Sequence, residues 1–135
     1  QTNYHKSGIT MINNIDALTP YRKLASIFIN PIRLGSGLSI KILEAMGVGL
    51  PVVTTSLGAA GIPAQNGVNC FINNSPKGFA DSIIWLIQDT KLAKLIGENA
   101  KYMVSSRYDI NLCIKQLESI CTDTISLSKM KKRSA

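Results

Sequence analysis

The chain has 135 residues, of which 45% are apolar and 17% charged, and its formal charge is +7. That is enough for one packed domain, so disorder is not the default, and no apolar run is long enough to span a bilayer. With one histidine, His5, and three cysteines, Cys70, Cys113 and Cys121, neither a His/Cys metal set nor a disulfide framework can be assembled.

Gln1 to Ser7 is polar and without period, and reads as the end of a preceding element or a frayed start. Gly8 opens a short strand, Ile9 to Ile12, ended by Asn13-Asn14. Within Ile15 to Ala25 a helical turn is expected, with Thr19 as its cap, Pro20 at its first position, and Tyr21 and Leu24 facing inward. Ser26 to Ile29 is a β-branched and aromatic run stopped by Pro31, which predicts a buried strand. The chain then turns through Gly35, Ser36 and Gly37, where uncovered backbone N–H groups can approach a ligand closely. Leu38, Ile42, Ala45 and Met46 follow at helical spacing, so a helix begins at the glycines and ends near Gly47 or Gly49. A strand, Pro51 to Thr55, comes next. Strand, glycine turn, helix and strand make one βαβ unit, whose helix N-terminus offers unpaired N–H groups and the positive end of the macrodipole to a phosphate.

A glycine-rich loop from Ser56 to Pro63 lies at the carboxyl end of that second strand, the edge where open α/β sheets bind ligands. Asn66-Gly67 marks a turn and Val68 to Ile72 a last short strand. Three helices are expected after it. The first starts at Ser75-Pro76, with Phe79, Ile83, Ile84, Leu86 and Ile87 as its apolar stripe and Trp85 beside them as core. The second runs from about Lys91 to Ser105, with Leu92, Leu95, Ile96, Ala100 and Met103 inward. The third runs from about Ile110 to Ile125, with Leu112, Ile114, Leu117, Ile120 and Cys121 inward. Cys113 and Cys121, eight residues apart on that helix, are too distant to bridge each other. Lys129, Lys131, Lys132 and Arg133 put four positive charges in the last seven residues, so residues 126–135 read as a disordered basic tail after a domain of 1–125. Such a tail is a solvated end or a contact for nucleic acid or an anionic membrane surface.

The motif P-x-R-x-G-S-G-x-x-x-K-x-L-E-A-M-x-x-G-x-P-V-V-T-T-x-x-G, from Pro31 to Gly58, resembles the nucleotide-binding core of the C-terminal domain of GT-B glycosyltransferases, in the retaining group often called family 4. The resemblance extends from about Ile9 to about Tyr108. It implies a Rossmann-like, doubly wound parallel α/β sheet followed by C-terminal helices. In that fold two further βα units come before the strand at Ile9, and their strands are the central ones. Starting at Gln1, the chain therefore reads as the second half of such a domain, with the Ile9 strand apart from the Ser26 strand, an exposed apolar sheet edge and poor stability in isolation.

The same resemblance assigns roles. Glu44 matches the second carboxylate of a Glu-x7-Glu motif that accepts hydrogen bonds from ribose hydroxyls, chemistry that suits an acceptor-only carboxylate facing two adjacent donors. Otherwise it is a solvated helix glutamate paired with Lys41. Ser36 stands where the first carboxylate of that motif would be, as in a subset of these enzymes with glycine and serine there. Backbone N–H groups of Gly37, Leu38 and Ser39, beside Gly35, would cradle a donor diphosphate, with Arg33 and Lys41 as candidate cations. The Gly58-Ala59-Ala60-Gly61 loop lines the site, with Ala60 where relatives often carry a glutamate. No general base is identifiable. The activity implied is transfer of a hexose from a nucleoside-diphosphate sugar to a glycan or lipid-linked acceptor of the cell envelope. No cofactor beyond the donor and no nucleic acid is expected. The acceptor, and the cations that neutralise the leaving diphosphate, belong to an N-terminal domain and to βα units outside this stretch, so the chain alone is expected to be inactive. A cytoplasmic location, peripheral to the inner face of the membrane through the basic tail, fits. Two other readings stand beside it: a GT-B relative with epimerase chemistry, and a non-catalytic remnant or binding module.

Overall fold

The computed structural model describes residues 5–6, 8–12, 14, 18–35 and 37–133. Among the sequence expectations, residues 1–4 and 7 of the polar start, Asn13 at the end of the Ile9 strand, the start of the first helical stretch, 15–17, Ser36, and the last two residues of the tail lie outside them.

The order of elements is β1 (His5–Lys6), β2 (Ile9–Thr10), α1 (Thr19–Leu24), β3 (Phe28–Asn30), α2 (Ile40–Gly47), β4 (Val52–Thr54), β5 (Phe71–Ile72), α3 (Pro76–Gln88), α4 (Thr90–Arg107) and α5 (Ile110–Arg133). β3, β4 and β5 form a parallel sheet in that order, with Phe28 opposite Val52 and Val53 opposite Phe71. The Ile9 strand does not join it. It pairs instead with His5–Lys6 in an antiparallel hairpin around Gly8, whose φ of 80° suits a tight turn. Residues 5 and 6, too polar to read as a strand, are one because a neighbour two residues on supplies the hydrogen bonds.

β4 is the centre. Val52, Val53 and Thr54 are fully buried, as expected of a parallel strand covered on both faces. Side chains alternate along it, so Val52 joins a core with Ile42, Ala45 and Met46 of α2 and Ala100 and Met103 of α4. Val53 points the other way, to Leu86 of α3 and Ile96 of α4. At about 1.5–3 kcal/mol for each large apolar side chain buried, these two clusters hold the layers together.

α2 ends in a Schellman motif. Gly49 takes φ 84°, its N–H donates to Met46 O, and Leu50 N–H reaches back to Ala45 O. The same Gly49 meets α4 at Gly97, where a Cβ would lie 2.1 Å from the Gly49 carbonyl oxygen. The crossing therefore needs glycine at 97, while position 49 needs it for its positive φ.

Several expectations change. Thr19 lies inside α1, whose N-cap is Leu18 with no side-chain cap bond. Tyr21 and Leu24 are exposed, Leu24 at 86%, because no sheet layer lies over this short helix among the described residues. Leu38 precedes α2 and is exposed, and Val68 stands outside β5, which is only Phe71–Ile72. On α3 and α4, Ile84, Trp85, Ile87 and Leu95 are exposed; Trp85 stacks its edge on Phe71 with ring centroids 6.2 Å apart while the rest of its surface faces solvent. α5 continues helical to Arg133, so the boundary expected at residue 126 falls inside a helix. Its stripe of Leu112, Ile114, Leu117, Ile120 and Cys121 is exposed, with no layer against it among the described residues. No described helix is long and apolar enough to cross a membrane.

Two predictions follow from the packing. Gly97→Ala gains helix propensity of about 1 kcal/mol but drives a methyl into backbone, and overpacking costs about 1–3 kcal/mol or more. A lower urea midpoint is therefore expected, and an unchanged or higher one would refute the close crossing. Cys70 is fully buried, and burial pushes its thiol up from 9.0 to about 11. A thiol reagent at pH 8 should label Cys113 and Cys121 quickly and Cys70 only on unfolding. Because the native thiol holds its proton more tightly, this group's contribution to stability is complete below pH 9 and is lost as the pH rises towards 11.

Candidate functional site

Leaving β3, the chain bends at Pro31 and turns back through Gly35 and Gly37, whose φ values of 138° and 87° are open to glycine and costly to other residues. The turn delivers Ser39 to the N-cap of α2. Serine at this position normally accepts from the second or third helix N–H. Here it does not: Ser39 makes no side-chain cap bond, and its Oγ is buried with no partner among the described residues. The first amides of α2 are thus left without a side-chain acceptor, at the positive end of the helix.

A pocket of about 340 Å³ opens at that end. Gly35, Gly37, Leu38, Ser39 and Lys41 line one side, with Ile32 as floor and Leu57 and Gly58 opposite. Thr55 holds the two walls in register, its hydroxyl donating to Ile32 O at 2.6 Å and accepting from Gly58 N–H at 3.1 Å. Gly58 must be glycine, since a Cβ would lie 2.3 Å from Thr54 Oγ1 and 2.7 Å from Asn30 Nδ2. That buried Asn30 Nδ2, just beneath the pocket wall, is also without a partner among the described residues. The pocket is lined mainly by apolar surface, and its polar features are the N-terminus of α2, the Ser39 hydroxyl without a partner among the described residues, and Lys41.

Of the residues singled out in the sequence, Gly35, Gly37, Leu38, Ser39 and Lys41 come together here. Arg33 does not. It lines a separate pocket of about 320 Å³ with Pro31, Thr55, Asn73, Asn74 and Ser75, because successive residues of the extended Pro31-Ile32-Arg33 segment point to opposite sides. Glu44 lies outside the lining of the glycine pocket, one turn along α2 on the exposed face it shares with Lys41. At about 1.5 Å of rise per residue it stands roughly 6 Å beyond the start of the helix. Its partner is not Lys41 but Arg22 of α1, with Nη2 at 2.5 Å from Oε2. Of the Gly58–Gly61 loop, Gly58 reaches the pocket and Ala60 is exposed outside its lining. Arg22 and Thr55 were not legible as site residues: the first is 22 residues from Glu44, the second a strand-end threonine like many others.

Comparison with known proteins agrees with this architecture. The chain is 30% identical over 122 residues to an uncharacterised glycosyltransferase of Methanocaldococcus jannaschii, covering 87% of this chain and 31% of that protein. It is 36% identical over 83 residues to an uncharacterised 44.6 kDa protein in the cps region of Klebsiella pneumoniae, covering 62% of this chain and 21% of that one. The chain thus spans less than a third of the length of these curated relatives. Among solved structures, the C-terminal domain of the glycosyl transferase group 1 family protein LpcC of Francisella tularensis superposes with a TM-score of 0.66 at 24% identity, over 76% of this chain and 53% of that one. The HepE protein of Anabaena, solved with UDP bound, superposes with a TM-score of 0.70 at 25% identity, over 76% of this chain and 29% of that one. These likenesses share a parallel sheet flanked by helices, the Rossmann-like arrangement of GT-B C-terminal domains. The family model for glycosyl transferases group 1 matches residues 1–89, a stretch that contains β3, α2, β4 and the whole glycine pocket, and the chain belongs to that family.

Proposed function

We propose that this chain forms part of the donor site of a hexosyltransferase, which moves a sugar from a nucleoside diphosphate to a glycan or lipid-linked acceptor of the cell envelope. The observation that carries the reading is the uncapped N-terminus of α2 opening on the glycine pocket, with the Ser39 hydroxyl buried and unpartnered beside it. A diphosphate placed there accepts from the amides of Leu38, Ser39 and the first turn of α2, with Lys41 as counter-cation. Glu44, farther along the same face, accepts from the ribose hydroxyls. Breaking the bond from sugar to diphosphate leaves negative charge on the phosphate oxygens, and fixed donors that meet this charge lower the barrier. HepE of Anabaena, with UDP and with UDP-glucose bound, supports a nucleotide-sugar ligand.

The rest of the site lies outside the part matched here. The acceptor and further cations for the leaving group come from a domain beyond this stretch, so the chain alone binds donor without turning it over. No cofactor besides the donor is required. The enzyme works on the cytoplasmic side, and its basic C-terminal residues, Lys129 to Arg133, meet the anionic inner face of the membrane.

The test is an NMR titration of the chain with UDP, GDP and their sugars. Shifts at Gly37 to Glu44 with millimolar or tighter affinity, at least tenfold weaker in Glu44→Gln, are expected. A folded chain that responds to no nucleotide would sink this reading and leave a non-catalytic module.

A further inference from the structure

Resting on that donor-site reading, we propose that Arg22 is a positioning residue for Glu44, fixing the carboxylate by one oxygen so that the other faces a vicinal diol of the ligand. Arg22 and Glu44 lie on different elements, α1 and α2, and their bond is the one side-chain hydrogen bond that α1 makes to another element among the described residues. The two partners are unequally covered. The Arg22 side chain is 14% exposed and that of Glu44 46%. A guanidinium so far withdrawn from water depends on its carboxylate, whereas the carboxylate keeps an open side.

The contact is single. Arg22 Nη2 donates to Oε2, and among the described residues no donor reaches Oε1. A glutamate free on a helix surface samples many rotamers, and a ligand must pay the entropy of choosing one. Tethered at Oε2, Glu44 has that choice made before the ligand arrives. Its free Oε1, on the same exposed helix face as Lys41, is left to accept from a hydroxyl. The arrangement also explains why Glu44→Ala is a poor probe: it strands a largely buried cation and confuses binding with folding. Glu44→Gln is cleaner. With its amide oxygen toward Arg22, it turns an NH2 donor toward the ligand's own donors.

The experiment is calorimetric titration of the full chain with UDP and GDP and with their 2′,3′-dideoxy counterparts, in wild type, Arg22→Met, Arg22→Lys and Glu44→Gln. Wild type should prefer the ribonucleotide by about tenfold or more, as a charge-assisted bond implies. Arg22→Met, which keeps the length and removes the donor, should bring the preference to within about twofold without weakening the dideoxy compound. Arg22→Lys should restore part of it, and Arg22→Met should add nothing in the Glu44→Gln background. A purely structural arginine would change the unfolding midpoint and leave the ratio as in wild type. If Glu44→Gln loses the preference while Arg22→Met keeps it, the positioning role is refuted and the donor site stands. Should wild type bind no nucleotide, the donor-site reading falls and this proposal with it; equal binding of the ribo and dideoxy compounds refutes this proposal and leaves the diphosphate pocket standing. Where Arg22→Met does not fold, Arg22→Gln, shorter and uncharged, decides: a ratio equal to wild type refutes the role.

Discussion

The buried strand β4 is the constraint on which the rest depends. Every residue of Val52–Thr54 is sealed from water, with helices on both faces and a parallel neighbour on each edge. Such a strand needs cover on both faces, because its backbone groups are satisfied only within the sheet and its side chains only within the two helix layers. The cover on one face is α2, and the direction of that helix follows. A helix joining two adjacent parallel strands must run back against them, which puts its N-terminus at the carboxyl end of the sheet. The glycine turn is there because the chain must reverse there.

From that geometry the chemistry of the pocket arises. The amides that a helix leaves unpaired are normally taken by a side chain, and Ser39 declines the task. The hydroxyls at the end of β4 do the complementary work. Thr54 ties itself to Asn30 O and Thr55 to Ile32 O, so the strand that organises the core also fixes the pocket floor. Among the described residues two buried polar atoms, Asn30 Nδ2 and Ser39 Oγ, have no partner in this neighbourhood, where unpaired groups cost about 1–3 kcal/mol each. Their concentration at one end of one sheet, and not across the core, marks a place shaped for something besides stability.

How much was legible in the sequence divides along a physical line. The βαβ unit was readable because each of its signals is local: an apolar run, glycines at positive φ, a helical period, a Gly-x-Pro stop. The Schellman close at Gly49 and the Ser75 cap of α3, whose Oγ accepts from Gly78 N–H, belong to the same class. What was misread needed a partner in space. A period of 3.6 says that a helix face wants cover and not that this chain provides it, which is why Leu24, Ile87 and the stripe of α5 were placed inward and stand exposed. The Lys41 pairing, the alternative that the sequence offers for Glu44, fails for the converse reason: a neighbour three residues away is visible in a sequence, while Arg22 on another element is not. Arg33 was grouped with the glycines by proximity along the chain, and the alternation of an extended segment sent it to the other pocket.

The central claim is that the N-terminus of α2 receives a diphosphate. A crystal structure of the full chain grown with UDP or GDP tests it most directly, since phosphorus positions do not depend on any assumption about catalysis. The account predicts both phosphates within hydrogen-bond distance of the amides of Leu38, Ser39 and the first turn of α2, with the ribose toward Glu44. A diphosphate found instead in the neighbouring pocket, against Arg33 and the Asn73 to Ser75 turn at the start of α3, would contradict it.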